Sequence, residues 1–482
     1  MNPAGIRDPL RDGPHGDAIP FFFKGRYHLY YLEAPAGVQD QPDRGRTPWR
    51  HLVSDDLVHW DDLGIALPLG AGSDPDVDGI WTGSVIERDG LIHIFYTGGR
   101  RRADTTTPQT VCHATSVDGV IFVKDEVRPM MRPPAWFEQR DWRDPFVFWN
   151  ADRGEYWMLV TSRASEGPSG RRGIIALSTS PDLTVWTTRK KPFYAPGITY
   201  SMECPELFEL GGRWRLAFSR FTEEAATVYR EADSPEGPWR TPAHPAFDGP
   251  RWYAAKSLTD DRGRRISFGW VHDRRDQSVT SEWLWGGDMC LPREIYVGSA
   301  DRLCVRPPEE IDGWLNRSAE IPVLDAGGKE HASLAAMGSF AFAELAMPVV
   351  GPELHRLTVT AELRDLRGGV GLVLFGDETM TGGLRLFVDA ASGMVSLGDI
   401  VSGNEPDRMP PPLVTNWVPP RATGQLRFDI YRRGDVLEIF VDRQAALTHR
   451  NYDTGPMRSF FFVEDGAAAV TASLASHSTS SA

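Results

Sequence analysis

Basic residues are the minority in this chain: 52 Lys and Arg stand against 66 Asp and Glu, a formal net charge of −14. Nucleic-acid binding rests on basic side chains that neutralise phosphates, and no basic stripe offsets the deficit, so a nucleic-acid partner is excluded. No apolar run is long enough to span a bilayer, and no membrane partner is expected. Cysteine is scarce. Cys112, Cys204, Cys290 and Cys304 are scattered without metal-ligand spacing and read as buried reduced thiols, and no metal or organic cofactor is implied. Residues 1–20 mix Arg, Asp, Pro and Gly with no apolar core segment, so no secretory signal is read and a cytoplasmic place is expected. Helical periodicity is almost absent from residues 16–300.

What is present is β-structure and aromatic surface. At 482 residues the chain is too long for one ordinary core, and its 16 tryptophans either fill cores or stack on ligand faces. Five hairpin signals recur, each an apolar or aromatic run, a polar glycine turn and a second such run. Their turns lie at Lys24-Gly25, Asp89-Gly90, Asp152-Arg153-Gly154, Gly211-Gly212 and Asp260-Asp261-Arg262-Gly263. Most are followed by a segment that ends in an aromatic: Ser54 to Trp60, Ser116 to Phe122, Ser180 to Trp186 and Asp233 to Trp239. Each such segment reads as the start of a third strand, its closing aromatic packed between neighbouring sheets. Five such units around an axis make a five-bladed β-propeller, expected over residues 1–310 as a catalytic domain. A short helix is expected near Glu309–Leu315. Alternating strands with different turns then predict a β-sandwich over 318–475, with a disordered Ala/Ser/Thr-rich end from about Ala475.

The chemistry gathers at strand mouths. In Trp142-Arg143-Asp144-Pro145-Phe146-Val147-Phe148-Trp149 a guanidinium and a carboxylate stand at the entrance of an apolar strand, where a buried core has no use for them. Asp17 lies 8 residues before Gly25, Asp144 lies 10 before Gly154 and Glu203 lies 9 before Gly212. With a residue or two allowed for turn length, the three occupy one position in blades one, three and four. The first strand of each blade lines the axis, so the three carboxylates are expected to meet in one pocket. Carboxylates that share a pocket raise one another's pKa, so that one can stay protonated while another remains a nucleophile. Glycoside hydrolysis needs that division of labour.

The motifs, in order, resemble those of glycoside hydrolase family 32, the invertases, levanases and inulinases. Arg143-Asp144-Pro145 is similar to the family's Arg-Asp-Pro, and Glu203-Cys204-Pro205 to its Glu-Cys motif. Trp49-Arg50-His51 with Ser54 to Trp60, Trp81-Thr82-Gly83-Ser84 and Tyr253-Ala254-Ala255-Lys256-Ser257 resemble further family stretches. So do Trp285-Gly286-Gly287 with Leu291-Pro292-Arg293-Glu294, and Glu438-Ile439-Phe440-Val441 in the sandwich. The resemblance implies a five-bladed propeller followed by a β-sandwich, and a retaining glycosidase acting on β-fructofuranosides or related furanosides. It implies Asp17 as nucleophile, Glu203 as acid/base and Asp144 as the group that holds sugar hydroxyls and stabilises the transition state. Arg143, Trp49, Trp81, Trp142, Lys256 and Trp285 are the candidate substrate-binding residues, and the partner is an oligosaccharide or small glycoside.

The sequence departs from the family at one place. The family's Asn-Asp-Pro-Asn-Gly is here Gly16-Asp17-Ala18-Ile19-Pro20, and Leu32 replaces a Gln at the end of the following strand, so the sugar contacts around Asp17 must differ. Two rivals remain at this stage: an inverting arabinofuranosidase or xylosidase-like propeller enzyme, and a sugar-binding propeller without catalysis. Hydrolysis and fructosyl transfer are both open.

Overall fold

The computed structural model describes residues 13–477, apart from 105, 127–128, 223–224, 278–280, 377–381, 401–411 and 453–457. The expectation for the first 20 residues therefore lies, over 1–12, outside the described residues. The chain divides into two compact units at Val297–Gly298, and Ala246–Pro250 joins the second. The boundary thus falls earlier than residue 310.

The first unit is a five-bladed β-propeller, and the five hairpins head its blades. Blade one is His15–Phe23, Arg26–Glu33, Trp49–Ser54 and Asp61–Leu67, each antiparallel to the next. Blade two is Gly79–Arg88, Leu91–Gly99, Gln109–Ser116 and Val123–Lys124. Blade three is Phe137–Asn150, Glu155–Ala164, Gly173–Ser180 and Thr187–Thr188. Blade four has Glu203–Leu210, Arg213–Arg220 and Ala226–Ala232, with a bridge from Glu231 to Arg240 in place of a fourth strand. Blade five pairs Trp252–Thr259 with Arg265–Arg274, whose far edge carries Trp283–Met289 and then Arg293–Val297. The five first strands touch one another in ring order, and His15 pairs with Gly287, so the last blade closes on the first.

The segments that begin at Ser54, Ser116 and Ser180 end the third strands rather than begin them. Their aspartates explain why. Asp56 Oδ1 accepts from the backbone N–H groups of Val58 and His59, Asp118 from Val120 and Ile121, and Asp182 from Thr184 and Val185. A carboxylate that caps its own backbone in this way makes a turn and stops the ladder. The closing aromatics do pack against the preceding blade: Phe122 on Tyr30, Trp186 on Phe95, Trp239 on Phe193 and, around the ring, Trp60 on Phe268. These edge-on and tilted contacts set a large ring between two sheets, buried for Phe122 and Trp60 and half-buried for Trp186 and Trp239, which fixes blade against blade.

In the second unit a strand, Leu303–Arg306, precedes a short helix, Glu309–Trp314, and antiparallel strands follow. Its long last strand, Ser459–Ser476, pairs over its first part with Gly369–Leu374 and over its second part with His355–Arg364, so two layers share one strand. Alternate residues such as Leu357, Val359, Ala361, Phe428, Ile430 and Phe461 fill the core between them. Asp248, from the short segment that joins this unit, accepts bonds from Thr448 N and Oγ1 at 2.8 and 2.6 Å. The chain end stays ordered further than its composition suggests. Ala475 and Ser476 are in the last strand and the His477 ring stacks on Trp314 at 4.2 Å, while 478–482 lie outside the described residues. No helix among the described residues is long and apolar enough to cross a membrane.

Candidate active site

Every inner strand of the propeller carries an irregularity near its start. In blade three Arg143 pairs with Thr161 and Phe146 with Leu159, which leaves Asp144 and Pro145 opposite the single residue Val160. Blade four repeats this with Cys204 and Pro205, blade five with Ala254 and Ala255, and blade one with Gly16 and Asp17 opposite Leu32. Blade two has its extra residue at Thr82. An extra residue of this kind bends a strand and re-aims its side chains. Asp144, Cys204 and Ala254 have φ of 54°, 50° and 50°, a left-handed conformation unusual for residues with a Cβ. The register shows that Cys204, not Glu203, is the counterpart of Asp144. Glu203 sits one residue earlier, at the place of Arg143 and Tyr253. Asp17, second of its bulged pair, stands one residue later, at the place of Pro145 and Pro205, so counting back from the hairpin glycines merged three adjacent positions.

The bends bring the three predicted carboxylates into one pocket of about 280 Å³. Asp17 Oδ1 accepts from Trp270 Nε1 at 2.9 Å and Oδ2 accepts from the Thr82 hydroxyl, with the Cys204 thiol at 3.7 Å. No cation touches it directly among these partners. Burial pushes its pKa up to about 6, against the pull of the Thr82 bond and with help from the charge of Glu203. Asp144 takes the Cys204 N–H on Oδ2 at 3.0 Å and has the Arg143 Nε at 3.6 Å. Its pKa is also raised, chiefly by burial; Arg143 pulls it down while Glu203 and Asp17 push it up. Glu203 Oε1 accepts from Arg143 Nη2 at 2.9 Å and Oε2 from the Tyr253 hydroxyl. The two outer acids thus differ: neutral donors hold Asp17, whereas a guanidinium and a phenol hold Glu203.

Arg143 lines the pocket, but its donors are committed. Nη1 bonds Asp141 and Gln109, and Nη2 bonds Ser201 and Glu203. It positions Asp144 and Glu203 rather than reaching outward. Of the four predicted tryptophans, Trp81 and Trp285 are on the wall and half-buried. Trp49 and Trp142 are not at the site. Both are fully buried in the blade cores, Trp49 with its Nε1 on the Trp81 carbonyl and Trp142 packed on Phe137. Strand alternation accounts for Trp142, since Arg143 beside it takes the pocket side. Lys256 also misses the pocket wall. It is buried with its Nζ 5.1 Å from the Phe146 ring centre and no hydrogen-bond partner among the described residues, and burial lowers its pKa.

Gly16, where the family motif has Asn, has the Trp285 ring against it. A Cβ there would lie 2.4 Å from the Trp285 ring and 3.4 Å from Leu32 Cβ. The indole fills the space that a side chain before Asp17 would need, so a larger residue there would force the ring to move, and Leu32 beside it is apolar where the family has an amide. Sequence reasoning did not assign Thr82, Trp270, Tyr253 or Cys204 to the site. Three of these stand inside motifs it quoted, and only Trp270, from a second strand, lacked a signal. Gln41, Gly45, Gln109, Asp141, Tyr200 and Phe221 complete the wall from outside those motifs.

A family model described as the glycosyl hydrolases family 32 N-terminal domain matches residues 16–307, more than half of the chain. The chain belongs to glycoside hydrolase family 32. It is 29% identical over 308 residues to the raffinose invertase of Escherichia coli, covering 60% of this chain and 61% of that one. It is 30% identical over 317 residues to the Escherichia coli sucrose-6-phosphate hydrolase, covering 62% and 63%. The matched part thus spans less than two thirds of either relative's length. A β-fructofuranosidase, insoluble isoenzyme 1, of Oryza sativa subsp. indica is 27% identical over 421 residues, 76% of this chain and 70% of its own. The likeness of fold extends beyond the matched residues: fructan 1-exohydrolase IIa of Cichorium intybus superposes with a TM-score of 0.75 over 98% of both chains at 18% identity.

Proposed function

We propose that this family 32 chain is a retaining glycosidase that hydrolyses β-fructofuranosides, with Asp17 as nucleophile and Glu203 as acid/base. The observation that carries the reading is the unlike setting of two carboxyl groups in one pocket, one held by neutral donors and the other by Arg143 and Tyr253. The Asp17 carboxylate attacks the anomeric carbon as Glu203 gives its proton to the departing oxygen, which leaves a glycosyl-enzyme ester and a free alcohol. Glu203, now ionised, takes a proton from water as that water attacks the same carbon, and Asp17 departs as carboxylate. Asp144, steadied by Arg143, accepts hydrogen bonds from ring hydroxyls and offsets the developing positive charge. A cytoplasmic place with reduced thiols is part of the same proposal, and the burial of all four cysteines supports it.

The test is release of fructose from sucrose, a kestose and an aryl β-fructofuranoside by the purified chain, followed against pH. Attack needs the ionised form of Asp17, and burial has moved its pKa up to about 6. Protonation below that value removes the nucleophile, so kcat/KM falls as pH is lowered through about 6 and is flat above it on this limb. No fructose from any of the three substrates sinks the proposal.

A further inference from the structure

We propose that Tyr200 and Phe221 form the leaving-group subsite, built for an uncharged ring with an apolar face and closed to a phosphorylated one. This rests on the reading of Glu203 as the acid, because the group that departs must lie where that proton is delivered. Tyr200 is three residues before Glu203 in the chain, and Phe221 follows the second strand of the same blade. Both line the pocket, and their ring centres are 6.1 Å apart. Phe221 is 43% exposed, so no core fixes it in place and its apolar face is free to take a ligand.

Tyr200 is a fixed plate. The Arg163 guanidinium lies 3.5 Å from its ring centre, and Arg163 itself is buried. Arg163 is anchored by Glu138 at 2.9 Å, by Ser169 and by the Tyr200 carbonyl. A ring held in this way loses little freedom when a ligand stacks on it. Sugar and aryl rings present C–H or π faces that suit such a platform.

Charge decides against a phosphate. The described wall carries four acids, Asp17, Asp141, Asp144 and Glu203, and one cation, Arg143, whose terminal nitrogens are all engaged. A phosphate dianion brought among them meets carboxylates and displaces no weakly held partner from a cation.

The experiment compares kcat/KM for sucrose, sucrose phosphorylated on its glucosyl O6, and methyl β-fructofuranoside, whose leaving group is too small to stack. The wild-type chain is expected to prefer sucrose to its phosphate by roughly a hundredfold. Phe221→Ala is expected to lower kcat/KM for sucrose about tenfold more than for methyl β-fructofuranoside. Equal or better use of the phosphate, or equal loss on both neutral substrates, overturns the subsite while the glycosidase reading stands. No hydrolysis of any of them overturns the glycosidase reading and the subsite with it.

Discussion

Asp17→Asn is expected to lower turnover of every substrate by at least about ten-thousandfold, and to leave the fold as stable as before or more so. The amide keeps the shape of the carboxyl group, and its oxygen can still accept from Trp270 Nε1, now at 2.9 Å. What it loses is a charge that the site holds at a cost. Burial raises the Asp17 pKa from 3.8 to about 6, so the native state binds this proton more tightly than the unfolded chain does. Between those two values stability falls as pH rises, and at pH 7 the whole penalty is present, at most roughly 2–3 kcal/mol. Asn removes the penalty along with the nucleophile. Denaturant unfolding of both proteins at pH 7, beside rates on sucrose and an aryl β-fructofuranoside, checks the pair of outcomes. A variant that loses stability in step with activity would give Asp17 a structural role instead.

Glu203→Ala is expected to behave differently although it removes a charge from the same pocket. Sucrose needs its departing oxygen protonated, and loss of that proton costs about a hundred- to ten-thousandfold. An aryl β-fructofuranoside with a good leaving group needs no proton, so Asp17 can still form the glycosyl-enzyme and the first step survives. Hydrolysis of that ester then lacks its base and becomes slow. Added azide should relieve it. The vacated space adjoins Arg143 Nη2, 2.9 Å from the former Glu203 oxygen, and this cation draws a small anion to the right place. The product is a fructosyl azide of retained configuration. Asp17 has no such cation among its hydrogen-bond partners, and its removal leaves no nucleophile on the protein, so Asp17→Ala forms no glycosyl-enzyme and any azide product it gives has inverted configuration. Equal loss in both variants on the activated substrate, with no response to azide, assigns the roles wrongly.

The turn glycines made the propeller legible. Gly25, Gly90, Gly154, Gly212 and Gly263 all have left-handed φ, from 64° to 82°, the conformation that hairpin turns demand and glycine adopts without strain. That periodic signal located the strand mouths, and with them the three carboxylates, to within one residue. The last residue was lost because the bulge at each strand mouth leaves no mark in side-chain periodicity. Only the register separates Glu203 from Cys204. Tryptophans were less readable, since a Trp in a core and a Trp on a ligand face look alike in sequence. Trp49 and Trp142 lie in blade cores, whereas Trp81 and Trp285 line the pocket. Tyr200 and Phe221 lie outside regular strands, where no repeat aligns them with anything else. The apolar wall beside Asp17 was half visible. Gly16 and Leu32 announced a changed contact, but the Trp285 ring that fills the space comes from the last blade.

The central claim is double displacement through a covalent ester on Asp17, and the configuration of a trapped product tests it most directly. When sucrose is turned over in the presence of methanol, the alcohol competes with water for the glycosyl-enzyme and gives a methyl fructofuranoside that cannot mutarotate. Attack on the ester from the face the leaving group vacated inverts the anomeric carbon a second time, so NMR of the product should show methyl β-fructofuranoside alone. Single displacement, with Asp17 acting only as a base on water, inverts once. Methyl α-fructofuranoside as the product would contradict the account.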